Sequence, residues 1–263
     1  TEVQDLLPTL IDLCGLQNLK KAKFDGSSLA PLLRGDTDKL PERMLVVQYG
    51  QRPEKWDGAV MWNKWRLIKG KELYDLKSDP GQKKNVAAER DDIVKKMRAH
   101  YEKWWAKMAP KIDDLSPISI GSDKENPLCL SAADWANVYC DNMHDLRAGV
   151  NRNGPWHLLV EQNGTYEIAL RRWPKEADAA ITAGVPAFKA VDGGLPPGKA
   201  LPIVRARLKI GAVDETKPVT ADDKEVVFTV KLKSGTRTRM QTWFLDADGK
   251  QLCGAYFAYV RRK

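Results

Sequence analysis

The sequence predicts an α+β chain in two parts: a small antiparallel sheet with one long helix packed on it, then an all-β sandwich. Three observations carry this. β-rich runs at 44–49, 59–62 and 65–69, with Glu72-Leu73-Tyr74 as a fourth, precede a helical stripe of Ile93, Met97, Tyr101, Trp104, Trp105 and Met108 at spacings of three and four. After residue 130 the texture changes to short alternating runs at 156–160, 165–171, 203–210, 225–232, 240–245 and 255–260. Turn signals separate them at Asn163-Gly164, Gly193-Gly194, Ser234-Gly235 and Asp248-Gly249. A length of 263 residues accommodates two ordinary domains. The boundaries read as 1–110 and 131–263, joined by a linker at 111–130 whose prolines and mixed polar residues lack periodicity.

The first element is a helix. Asp5 precedes Leu6, Leu7, Pro8, Leu10, Ile11, Leu13 and Cys14, and Gly15 follows. Asp5 is its expected N-cap, Pro8 falls in the first turn where a missing amide costs nothing, and Gly15 supplies a left-handed stop. So apolar a helix needs a body to cover it, and the next forty residues offer little that could. The expectation is a missing upstream partner. The four runs between 44 and 74 then form the sheet, with Asn63-Lys64 turning the second strand into the third. The long helix starts at Asp91 or Asp92 and stops at Pro110.

Composition sets the wider limits. With 43% hydrophobic and 30% charged residues and nine tryptophans, the chain is a folded globular one. No run approaches the roughly 20 apolar residues of a membrane span, and Thr1-Glu2-Val3-Gln4-Asp5 lacks a signal-peptide pattern. Most of the net charge of +8 sits in the first part, where residues 1–112 hold 22 Lys and Arg against 16 Asp and Glu. Only Lys20, Lys21 and Lys23 cluster, and no block of five like charges marks an interaction tail. A nucleic-acid reading rests on that charge alone, and no nucleic-acid partner is assigned. Cys14, Cys129, Cys140 and Cys253 form no C-x-x-C pair and no zinc-finger spacing with His100, His144 and His157. Cys129 and Cys140 fit either a bridge in an exported protein or free thiols; the pairing of Cys253 is equally open.

Three stretches of the first part resemble the end of the sulfatase catalytic domain, in the alkaline-phosphatase-like superfamily. Asp5-Leu-Leu-Pro-Thr-Leu-Ile-Asp-Leu-Cys-Gly15 is similar to the family's D-L-x-P-T-L-x-D-L-A-G helix. Asp25-Gly-Ser-Ser-Leu-Ala-Pro-Leu-Leu-Arg-Gly35 is similar to D-G-x-S-L-x-P-L-L-x-G. Trp65-Arg-Leu-Ile-Lys69, Glu72-Leu-Tyr-Asp-Leu76, Asp79-Pro-Gly81 and Asn85-Val-Ala87 follow the W-K-L-I, E-L-Y-D-L and D-P-x-E-x-x-N-L-A run in family order. Gln82 replaces the usual Glu and Cys14 the usual Ala. The resemblance covers residues 1–108. It implies an arylsulfatase-type carboxy-terminal segment whose first helix lies on a large central sheet and whose small sheet stands beside the active-site cleft.

The chemistry of that family is not carried over. Sulfatases use a formylglycine made from C/S-x-P-x-R beside a divalent cation, calcium, held by Asp and Asn. The nearest match here, Ser78-Asp-Pro-Gly-Gln82, lacks the Arg and lies inside the expected Asp-Pro-Gly turn. Asp91-Asp92, Asp113-Asp114 and Asp222-Asp223 fall at a helix start, the linker and a loop. No catalytic residue, metal ligand or cofactor is assigned to this segment. G-x-S-x-G, H-E-x-x-H and phosphate-loop patterns are absent too. His144, between Asp141 and Asp145, reads as a solvated loop residue, and His100 and His157 as structural or solvent-facing.

The resemblance also implies a rim to the substrate cleft, and Gln48, Tyr49, Gln51, Arg52 and Trp56 are the candidates for it. Arg suits a sulfate through paired hydrogen bonds, and Trp can stack on a sugar. In the second part, Gly154-Pro-Trp156-His-Leu-Leu-Val160 through Gly164-Thr-Tyr-Glu-Ile-Ala-Leu-Arg171 resembles a hairpin of carbohydrate-binding jelly-roll modules, with Tyr166, Ile168 and Leu170 inward. A jelly-roll-like sandwich is therefore expected, with Trp135, Trp173 and Trp243 as candidates for sugar stacking. Asp246-Ala-Asp248-Gly249 reads as a hairpin turn before a calcium site. Together these imply a periplasmic or secreted sulfatase whose carboxy-terminal region is inert alone, with its catalytic half and sulfated glycan as partners. A free-standing carbohydrate-binding module is the alternative.

Overall fold

The computed structural model describes residues 1–17, 22–50 and 52–263, and the chain divides into two units, Thr1–Asp113 and Asp114–Lys263. Among the described residues no helix is long and apolar enough to cross a membrane.

In the first unit a 3-10 turn, Val3–Asp5, leads into α1 (Leu6–Leu13), and a one-turn helix, α2 (Ala30–Arg34), follows. Gly15 closes α1 at φ +60° after Cys14. The expected capping role of Asp5 is corrected: its side chain makes no cap hydrogen bond. Its carboxylate accepts instead from the amides of Glu2 at 2.8 Å and Ser27 at 2.9 Å and from Arg43 Nη1 at 2.9 Å, and the residue is wholly buried. A guanidinium, the nearby Glu2 amide and the distant Ser27 amide take the oxygens that a cap would have used.

The sheet runs in the order β1 (Met44–Gln48), β2 (Gly58–Trp62), β3 (Trp65–Ile68), β4 (Glu72–Asp75), every pair antiparallel. Lys69 and Gly70, both at positive φ, make the tight β3–β4 turn whose twist suits a hairpin. α3 (Asp91–Met108) covers the sheet, with Asp91 and Asp92 at the positive end of its dipole. Its stripe meets Val60, Leu67 and Leu73 through Val94, Met97 and Tyr101, while Ile93, Trp104 and Trp105 pack around this core half-buried. At the β4 edge, Asn85 Oδ1 accepts from the amides of Leu73 and Ala87, each at 3.0 Å, and the Val86 amide donates to Leu73 O at 2.8 Å.

The second unit holds two main sheets. One runs β12 (Val213–Pro218), β11 (Arg205–Ile210), β14 (Arg237–Leu245), β7 (Trp156–Val160), β5 (Ile118–Ile120), with β15 (Gln251–Cys253) also paired to β14. The other runs β13 (Val226–Leu232), β8 (Gly164–Arg171), β16 (Phe257–Arg262), β6 (Leu128–Ser131). A short hairpin pairs β9 (Phe188–Ala190) with β10 (Gly193–Leu195). All pairings are antiparallel except β5 with β7. Trp156, Leu158 and Val160 of one sheet and Tyr166, Ile168 and Leu170 of the other share a single buried core. The stretch 111–130, expected as a linker, is not one throughout: it carries β5 and the start of β6, short strands punctuated by turns, and the second unit begins at Asp114.

One helix interrupts the strands. α4 (Met143–Ala148) occupies the stretch expected as a loop around His144; Asn142 caps it by accepting from the Asp145 amide at 2.9 Å, and Gly149 at φ +65° ends it. Trp135 and Trp173 are core residues, 0% and 1% exposed. The Trp173 indole donates to Ala183 O at 3.0 Å. Arg172 is buried as well, lying over that indole and donating to the carbonyls of Ile181, Ala183 and Lys199; burial lowers its pKa. All four cysteines carry free thiols, Cys14 and Cys129 exposed and Cys140 and Cys253 buried.

Candidate functional site

The expected rim residues divide into two groups. Gln48 Nε2 donates to Tyr101 Oη at 3.3 Å, and the Trp56 amide donates to the same oxygen at 2.8 Å. The Trp56 ring stacks on Tyr101 with centroids 3.9 Å apart and planes at 20°. Trp56 adopts φ +68°, and a Cβ on Gly70 would come within 2.8 Å of its ring. Trp56 is thus half-buried against α3, and with Gln48 it fixes the loop rather than projecting from it. Tyr49 is 82% exposed, and exposed Arg52 pairs with Asp113 at 2.7 Å. Gln51 lies outside the described residues, as do Lys20 and Lys21 of the basic cluster. His100 lines a groove between α3 and β1 with Lys103, Trp104 and Lys107; burial first, and then Lys103, lowers its pKa.

The helix α1 is turned inside out relative to its own unit. Thr9, its one buried residue, donates to Asp5 O at 2.6 Å and accepts from the Leu29 amide at 2.8 Å. Asp12 accepts from Ser28 Oγ at 2.8 Å and from Arg34 Nη1 at 3.1 Å. Residues 5, 9 and 12 recur at helical spacing, so the polar face is the one that meets the rest of the unit. Leu6, Leu7, Leu10 and Leu13 are between 41% and 55% exposed. A solitary exposed leucine means nothing, but a contiguous apolar helix face marks a contact surface.

A site of which sequence reasoning named only Trp243 lies on the outward face of β11 and β14. Ala206, Leu208 and Ile210, with Met240, Thr242 and Phe244, point into the core, so the period of two sends Arg207, Lys209, Arg239, Gln241 and Trp243 to the other face. Register sets Arg207 opposite Trp243 and Lys209 opposite Gln241. These side chains line a shallow cavity of about 370 Å³. Arg207 lies 4.8 Å over the Trp243 ring and donates from Nε and Nη2 to the two oxygens of Asp214, each at 2.6 Å. That pairing holds the Asp214 carboxyl below its usual range.

Candidates for metal binding resolve into structure. Asp246 Oδ1 accepts from the amides of Asp248 and Lys250 at 3.1 and 2.9 Å, closing the β14–β15 hairpin turn. Ser78 and Asp79 lie in the turn after β4, where Asp79 Oδ2 accepts from the Lys84 amide at 2.8 Å. Asp145, beside His144, pairs with Arg152. Among the described residues no group of three or more His, Cys, Asp or Glu could hold a metal ion.

No family model matches the chain. A solved ruminal GH26 endo-beta-1,4-mannanase shares 13% identity with it at a TM-score of 0.27, over 54% of this chain and 27% of that one, too low for a common fold to be read from it. Over 91 residues the chain is 37% identical to the Delta 4,5-hexuronate-2-O-sulfatase of Bacteroides thetaiotaomicron. The match covers 32% of this chain and 18% of that enzyme's length, so a sulfatase-like relation holds for about a third of the chain.

Proposed function

We propose that this chain is the carboxy-terminal region of an arylsulfatase-type sulfuric ester hydrolase, exported to the periplasm or secreted. The first unit braces the catalytic part, and the second is an appended carbohydrate-binding, jelly-roll-like sandwich. The observation that carries this reading is the orientation of α1, whose polar face is satisfied by its own unit while its leucines stand in water. A partner surface, the central sheet of a catalytic part, gives those leucines their cover. The local similarity to a sulfatase supports reading that partner as a sulfatase catalytic part.

On this reading the catalytic part supplies formylglycine and calcium. The residues of this chain do not fit that cation: the acidic side chains of its best candidates are committed to turns and ion pairs. No step of ester hydrolysis is therefore assigned to them. Tyr49 and Arg52, exposed after β1, are the side chains proposed to reach a sulfated sugar at the cleft rim, with Gln48 and Trp56 held back against Tyr101; Gln51 is proposed with them from the sequence alone. For the second unit, the steps β5 to β6, β7 to β8, β13 to β14 and β15 to β16 each cross from one sheet to the other, while β11–β12 and β14–β15 stay within one, and these crossings support the reading of a jelly-roll-like sandwich.

The test is the reading frame on the 5′ side of the Thr1 codon together with an assay of the chain itself. A C/S-x-P-x-R motif is expected upstream, and no release of nitrophenol from nitrophenyl sulfate with calcium is expected from the 263 residues alone. Turnover by this chain, or a frame without the motif, overturns the proposal; the second result favours a free-standing carbohydrate-binding module.

A further inference from the structure

We propose that the outward face of β11 and β14 is a binding site for an anionic saccharide, one carrying sulfate or carboxylate groups on pyranose rings. This rests on reading the second unit as the carbohydrate-holding part, and it names the ligand's class and the site.

The argument begins with what the face presents. A half-buried indole is the side chain best matched to the C–H face of a sugar ring, and Trp243 lines the cavity with its ring held by Arg207. Arg207 is itself neutralised by Asp214, so its part is to position the indole rather than to attract charge. Lys209 reaches the same carboxylate only at 3.9 Å, and Arg239, which lines the cavity, forms no ion pair among the described residues. Two cations thus border one aromatic surface with a single carboxylate between three positive groups. Gln241, between them, offers an amide for hydroxyl groups and is held only by a long contact to Asn153 at 3.4 Å. A neutral sugar has no use for the uncompensated charge, whereas a sulfate or carboxylate accepts charge-assisted hydrogen bonds from it. A nucleic acid would need a longer basic track than these two side chains provide.

Binding of the full chain is measured by calorimetry in 150 mM salt against four probes: a heparin-derived hexasaccharide, its desulfated counterpart, mannohexaose, and a single-stranded oligodeoxynucleotide of matched charge. The hexasaccharide is expected to bind, the desulfated form to bind more weakly through its carboxylates, and the other two to bind at least about tenfold more weakly. Trp243→Ala and Arg239→Ala are each expected to weaken hexasaccharide binding about tenfold, and Trp243→Phe to retain most of it. Lys233→Ala, in an exposed turn away from the cavity, leaves it unchanged. Equal affinity for the oligonucleotide, preference for mannohexaose, or full binding by folded Trp243→Ala and Arg239→Ala overturns the site. None of these results bears on α1 or the upstream motif, so failure here is distinguishable from failure of the sulfatase reading.

Discussion

Arg43 closes on Asp5 with both terminal nitrogens, Nη1 to Oδ1 at 2.9 Å and Nη2 to Oδ2, across 38 residues of sequence. The pair ties the start of the first unit to the residue just ahead of β1, and the Asp5 carboxylate is fully enclosed while the Arg43 side chain keeps 23% of its surface. Hydrogen bonding from Arg43 holds the Asp5 carboxyl well below the usual carboxylate range, with the Glu2 and Ser27 amides adding to it against the cost of burial.

Asp5→Asn therefore leaves a guanidinium facing a neutral amide, and about 3 kcal/mol of stability in the first unit is expected to go, read by urea unfolding. The sign with pH follows from the depressed carboxyl. Its folded pKa lies below the unfolded value of about 3.9, so the pair's contribution is full from about pH 5 upward and is lost as pH falls below that. In the Asp5→Asn variant that part of the acid sensitivity disappears; an unchanged acid transition would refute the assignment.

Gly70→Ala meets two obstacles, a left-handed backbone at φ +68° and the Trp56 ring 2.8 Å from the new Cβ. A loss of about 2 kcal/mol is expected, with tryptophan fluorescence shifting as the Trp56–Tyr101 stack opens. Trp56→Ala removes the half-buried ring itself and costs about 2–3 kcal/mol, below the value for a fully buried aromatic. If the two substitutions combine additively, they do not act on one contact.

Thiol titration separates the cysteines. Burial pushes Cys140 up to about 11 and Cys253 up to about 12, so neither forms thiolate at pH 8. Exposed Cys14 and Cys129 are expected to react with Ellman's reagent in the folded chain, and Cys140 and Cys253 only in denaturant. Two reactive thiols before unfolding and four after is the predicted count.

Leu10→Asp on α1 is expected to leave the isolated chain within about 0.5 kcal/mol of its original stability, because the side chain is 53% exposed. On the proposed reading, the same change abolishes association with a sulfatase catalytic part. Cys14, at the end of the same helix, should become protected from alkylation in that complex, and continued labelling at the free rate would deny that α1 is the contact.

Much of the first unit could be read from sequence because its signals are local. The strands at 44–74 and the helix stripe through Met97 and Tyr101 announce their own period, and the structure places them within a residue or two. Asp5 could not be read locally, since its partner Arg43 is remote and outcompetes the helix amides for its oxygens. In the second unit β12 has the polar composition of an edge strand, Val-Asp-Glu-Thr-Lys-Pro, with no hydrophobic alternation to detect. α4 is too short for a stripe, although its Asn142 cap and Gly149 stop were both visible. Of the tryptophans considered for stacking, only register distinguishes Trp243, which stands opposite Arg207 on the outer face, from Trp135 and Trp173 in the core.

The Asn85 contact at the β4 border has a consequence for how the molecule behaves among its neighbours. A terminal strand ordinarily offers its bare amides and carbonyls to any other chain, and fibres grow from such offers. At Leu73 both groups are already taken, the amide by Asn85 Oδ1 and the carbonyl by the Val86 amide. The ladder is capped from within, and foreign strands find no rung there to begin on.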